Sequence, residues 1–156
     1  MVKRLAAVTA TAIVGVGMWA GLVSASSNAA PSGLRFTSKA TASGYVDNPP
    51  KGLSPGDLLT EHSVWYRSGK KAGTMATLAT VTLRNGPQSG EALYTASVRL
   101  QDGQVTLAGK FFFVPANQTF KAAVTGGTQA YRDARGYAVF RQVSGSTTIV
   151  TLYVLP

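Results

Sequence analysis

Apolar and polar residues alternate one for one along most of the chain, in short runs broken by turn residues. That is the pattern of half-buried β-strands, and no helical period intervenes between the runs. The expected strands span residues 34–42, 58–67, 72–84, 91–101, 104–114, 119–125, 135–143 and 147–155. In the fourth, Ala92, Tyr94, Ala96, Val98 and Leu100 share one face; in the fifth, Val105, Leu107, Gly109, Phe111 and Phe113 do. Asp102-Gly103 suits a tight hairpin, and Asn85-Gly86 a turn, because Asn and Gly tolerate positive φ. Residues 43–57 carry three Pro and three Gly and predict one long loop, of a length that often serves as a lid or rim. Eight strands without a helix predict an all-β fold. An eight-stranded antiparallel barrel is favoured over a sandwich, since closure removes exposed edges. Such a barrel is just wide enough inside for side chains or one small ligand, so the site is expected in the lumen.

The N-terminus reads differently. Lys3 and Arg4 precede an uncharged, mostly apolar stretch over 5–23, followed by Ser24-Ala25-Ser26-Ser27-Asn28-Ala29-Ala30. This predicts a signal peptide over 1–29, with Ser27 and Ala29 before the cut, and a mature barrel domain over 30–156. The protein is therefore expected to be secreted. The competing reading is an uncleaved anchor, because the stretch is nearly long enough to span a bilayer. It would be the chain's one membrane contact.

Composition narrows the chemistry. The 156 residues include no Cys and one His, His62, which excludes disulfides, thiolate catalysis, Cys-based zinc sites and His-rich metal clusters. The six acids are dispersed, without calcium-loop spacing, so no metal and no cofactor is expected. Formal charge is +9; without Lys3 and Arg4, 13 basic residues face 6 acidic ones. Apart from Lys70-Lys71 and the set Arg132, Arg135 and Arg141, the basic residues are scattered. A nucleic-acid surface shows a clustered stripe or a known module. No nucleic-acid partner is expected, and weak attraction to anionic cell surfaces is what the charge implies.

The fifteen residues from Val124 to Ala138, Val-Thr-Gly-Gly-Thr-Gln-Ala-Tyr-Arg-Asp-Ala-Arg-Gly-Tyr-Ala, resemble the Gly-Gly-Thr…Ala-Arg-Gly-Tyr-Ala segment of dirigent proteins. They are also similar to the Val-Thr-Gly-Gly-Ser…Gly pattern of plant allene oxide cyclases. Gly56-Asp57-Leu58, Lys70-Lys71 with Gly73, Gln104-Val105 through Gly109, Gln142 and the terminal Thr151-Leu152-Tyr153-Val154-Leu155 fall at cyclase-like spacings. The resemblance covers roughly residues 56–155. It implies an eight-stranded barrel with an apolar lumen, often trimeric, with Phe112, Val114 and Val150 among the outward apolar positions. The cyclase site itself is not retained. Ser63 stands where the cyclases hold an Asn, Ala79 where they hold a Cys, and Phe111 where they hold a Tyr; their first-strand Glu has no counterpart. Arg135 matches the motif Arg.

If Ser63 faces the lumen, strand alternation brings Leu59, Glu61 and Trp65 with it. Glu61 would then stand in an apolar barrel as a candidate general acid or base. A bulge would instead turn it to solvent, and the opposite face, Leu58, His62, Val64 and Tyr66, is no less apolar. His62 points away from Glu61 and reads as a surface residue. Phe111, Phe112, Phe113, Tyr94, Phe120, Tyr137 and Phe140 read as core, several of them as pocket wall. Two functions are expected. In one, the lumen binds an apolar small molecule and steers its stereoselective cyclisation or coupling, an isomerase-like activity without cofactor. Glu61 and Arg135 would be its catalytic residues, and Ser63, Trp65, Ala79, Phe111 and Tyr137 would bind the ligand. In the other, the protein is a non-catalytic exported binder of a lipid, a secondary metabolite or a cell-envelope polymer. A homo-oligomer, a trimer by resemblance, is expected in either case.

Overall fold

The computed structural model describes residues 33–87, 89–113 and 118–155. The expected signal segment, residues 1–29, and the outward position assigned to Val114 lie outside the described residues. Eight strands run β1 (Gly33–Val46), β2 (Leu58–Arg67), β3 (Lys70–Gly86), β4 (Ser89–Leu100), β5 (Gly103–Phe113), β6 (Thr119–Gly127), β7 (Arg135–Ser144) and β8 (Thr147–Leu155). Each pairs antiparallel with the next, and β8 closes on β1, giving a closed barrel.

The expected strands all form, with one substantive extension. β1 continues through Val46, pairing Ser43 with Glu61 and Tyr45 with Leu59. The register shifts between Ala40 and Ala42. A bulge there breaks the period of two, so the continuation has no alternation to reveal it, and the long loop shrinks to residues 47–57.

That loop is fastened by Asp57, whose side chain is fully buried. Its carboxylate accepts hydrogen bonds from Tyr45 Oη (2.5 Å), the Ser54 amide (2.7 Å), the Asn48 amide (2.9 Å) and Ser54 Oγ (3.2 Å). Backbone bonds from Gly56 to the Val81 carbonyl and from Val81 to the Asp57 carbonyl, both 2.9 Å, tie it to β3. The Tyr45 hydroxyl above all holds the Asp57 carboxyl below its ordinary pKa, and the same bond pushes the Tyr45 phenol up to about 12.

The core is the lumen. Phe36, Trp65, Val98, Val105, Leu107, Phe140, Val150 and Leu152 are buried within it. Val150 pairs with both Phe36 and Phe140 and faces inward, which corrects its expected outward position; Phe112 is half-exposed, as expected. Between β6 and β7 the chain reverses through Gly126, at φ +143, and a short 3-10 turn at Gln129–Tyr131. Tyr131 and the buried Ala134 pack against the core there. A Cβ on Gly127 would meet both the Gln104 carbonyl and Tyr131. The Gly-Gly pair is thus required by close packing as well as by chain reversal.

Candidate functional site

The inward positions of the strands enclose a cavity of about 600 Å³, within the range of small-molecule sites. One part of its wall is aromatic. Tyr94 meets Phe111 edge-on at 5.7 Å and Phe120 at 5.6 Å. Phe120 and Phe140 stack with centroids 4.8 Å apart. Phe113 extends the set through Phe111, at 6.2 Å.

A polar stripe runs across the adjoining strands. Ser43, Glu61 and Thr77 occupy one row, because Glu61 is paired with Ser43 on β1 and with Thr77 on β3. All three line the cavity. Side chains directly opposite on neighbouring strands lie within about 5 Å at Cβ. Tyr94 is two residues along β4 from Ala96, the partner of Thr77, and so reaches the same row diagonally. The Thr77 and Tyr94 hydroxyls are both buried and without a hydrogen-bond partner. Burial pushes the Tyr94 phenol well above its usual pKa, which keeps it a neutral donor.

Glu61 stands at the mouth, where solvent reaches it, yet the surrounding wall displaces enough water to raise its carboxyl above the ordinary value. The cause is desolvation. No described residue gives it an ion pair: the two described ion pairs are Lys110 with Glu91 and Arg132 with Asp133.

The residues singled out in the sequence divide into three groups. Glu61, Ala79 and Phe111 line the cavity. Ser63 and Trp65 lie deeper and are fully buried; Ser63 accepts a 2.9 Å bond from Ser38 Oγ, and Trp65 packs on Phe36 and Phe140. The lumen-facing parity of β2 therefore holds: the bulge opposite His62 and Ser63 lies in β1, and β2 runs in continuous register with β3 from Glu61 to Trp65. Arg135 and Tyr137 are corrections. Ala138 and Phe140 are buried inside, so alternation turns Arg135, Tyr137 and Val139 to the exterior. Tyr137 stacks there on Tyr153 at 4.7 Å, with Lys121 Nζ 5.7 Å from its ring. Arg135 also sits at the opposite end of β7 from Gln142, the residue of that strand at the cavity mouth, roughly 23 Å along the strand. His62 faces outward and bonds Thr41 Oγ1 at 2.7 Å.

Thr77, Gln142 and the phenol of Tyr94 were not singled out as site residues from sequence. Their place depends on inter-strand register, of which the sequence carried only the alternation within each strand.

The model of the allene oxide cyclase barrel like domain matches residues 35–154. The chain belongs to this family. Solved structures with the same fold include a pyocyanin demethylase, at 17% identity and TM-score 0.69, covering 80% of this chain and 100% of that one. They include an exo-specific intermolecular Diels-Alderase, at 14% identity and TM-score 0.63, covering 79% and 98%. A pterocarpan synthase dirigent protein is also similar, at 18% identity and TM-score 0.59, covering 79% and 82%. A comparison with curated protein sequences found no match. At these identities the likeness establishes the barrel, and the chemistry has to be argued from the lumen.

Proposed function

We propose that this family member binds one apolar small molecule in its lumen and steers a stereoselective cyclisation or coupling of that molecule. The observation that carries the reading is the cavity of about 600 Å³ with stacked rings on one wall and an unpaired carboxylate on the other. Enclosure holds a flexible substrate in one reactive conformer and keeps water from reactive intermediates, so selectivity comes chiefly from shape. Glu61, with its raised pKa, is the acid or base. Phe111 and Ala79 shape the pocket, while Ser63 and Trp65 fix its inner wall. Arg135 and Tyr137 have no part in it. Similar barrels named for a Diels-Alderase and a dirigent protein support the reaction class.

The test is native mass spectrometry of the protein purified from its own culture medium, followed by turnover of whatever small molecule is released. One ligand per chain is expected, with turnover lost in Glu61→Gln even at saturating ligand. A bound molecule that the parent protein never converts would leave a binder. The same preparation tests export, as a form beginning near Ala30. Light scattering tests assembly, for which the exposed Leu78, Leu93 and Phe112 on the outer face of β3–β5 offer an apolar contact.

A second reading, non-catalytic attachment to an anionic envelope polymer, draws on the exterior. Arg35, Lys39, Lys121 and Arg141 take outward positions on β1, β6 and β7. Among the described residues no acid faces outward from these strands. Retention on polymer-coated beads, lost when these four are changed to Gln, would favour it.

A further inference from the structure

Glu61 is the only carboxylate among the described residues lining the cavity, and no Lys, Arg or His lines it. Across from it lie the rings of Phe111, Phe120 and Phe140, with Tyr94 edge-on to all three. Ring faces carry negative electrostatic potential. Both walls of the lumen therefore favour positive charge, and nothing described in the protein supplies it.

A carboxylate at the mouth, partly screened from water by the wall, has its pKa raised by that desolvation, and no described cation lines the cavity beside it. A cationic ligand would provide a counter-charge. A compact ammonium gives up strong hydration on entering such a site, whereas a flat, delocalised cation gives up less and covers the rings as well. The net positive charge of the chain opposes entry only weakly. Exterior charges act across solvent and are screened over roughly 8–10 Å, while Glu61 would act at contact, at a mouth partly walled off from water.

We infer that the lumen selects a flat aromatic cation, such as an N-alkylated heteroaromatic ring, over a neutral molecule of the same shape and rejects a carboxylate. The inference rests on the reading of the lumen as the ligand site and narrows its ligand to one that joins a largely apolar surface to a delocalised positive charge.

The test is fluorescence titration at pH 8 with three probes of one skeleton: N-methylacridinium, acridine and acridine-9-carboxylate. The cation should bind about tenfold more tightly than acridine, the scale of one well-placed charge contact, and the carboxylate more weakly than either. In Glu61→Gln most of the cation's advantage should go, leaving only the smaller part the rings supply. Equal affinity for all three, preference for the carboxylate, or a cation preference undiminished in Glu61→Gln overturns the inference. Binding of acridine without charge preference, if abolished by the lumen-filling Ala79→Phe, overturns the charge inference alone. Binding of none of the probes, or binding that survives Ala79→Phe, overturns the lumen reading too. Gln142→Trp at the mouth replaces Ala79→Phe as the plug should the latter fail to fold.

Discussion

Phe120 and Phe140 face each other across the β6–β7 ladder with their rings 4.8 Å apart and 5° from parallel. Phe140 also meets Trp65 and Tyr94 edge-on and is only 3% exposed, so it joins the barrel core to the cavity wall. Phe140→Ala should cost about 3–5 kcal/mol in chemical denaturation, the usual loss for a buried ring. Phe120 is partly buried, and Phe120→Ala should cost clearly less. Equal losses would contradict the asymmetry.

Asp57 should control the order of the 47–57 loop. Its folded pKa lies below the unfolded value of 3.8, so its contribution is present above that value and is lost as pH falls through the folded one. Asp57→Asn should remove this acid-dependent part and speed hydrogen exchange at the Asn48 and Ser54 amides, which donate to the carboxylate. Tyr45→Phe should act in the same direction. Unchanged exchange at both amides in Asp57→Asn would contradict the role.

Glu61 should show the opposite sign. Its folded pKa is raised above the ordinary 4.5 by desolvation. The neutral acid is thus the better-tolerated form, and its contribution is present below the unfolded value and lost as pH rises through the folded one. Glu61→Gln should therefore raise Tm relative to the parent at pH 7 and change it little at pH 4. A lower Tm at pH 7 would mean that the carboxylate has a partner holding it in place.

Gly136 has φ +130, and a Cβ there would strike the Tyr153 carbonyl oxygen. Gly136→Ala adds unfavourable backbone strain of about 1–3 kcal/mol to a clash that pushes β7 off β8. Loss of soluble folded protein, or a fall in stability of at least about 3 kcal/mol, is expected. A variant with the parent's denaturation midpoint would show that the two strands can separate freely at this point.

The barrel was legible because each strand carries its own alternation, whereas parity through Ser63 and Trp65 offered Glu61 only as a lumen candidate, with the opposite face of β2 equally apolar. The same parity, applied to Ala138 and Phe140, turns Arg135 and Tyr137 outward. Arg135 is a site candidate only through the motif and Tyr137 only as one of the aromatic set, and the motif itself is accounted for by the packing of Gly126, Gly127 and Gly136. The partnership of Glu61 with Thr77 was not legible, since it depends on the β2–β3 register. The extension of β1 was hidden by its bulge.

That the lumen is the ligand site is tested most directly by a crystal structure of the parent protein grown with saturating acridine. The account predicts density for one flat molecule between Glu61 and the Phe120–Phe140 stack, with the barrel unchanged. Density confined to the exterior, or a lumen closed by its own side chains at full saturation, would contradict it.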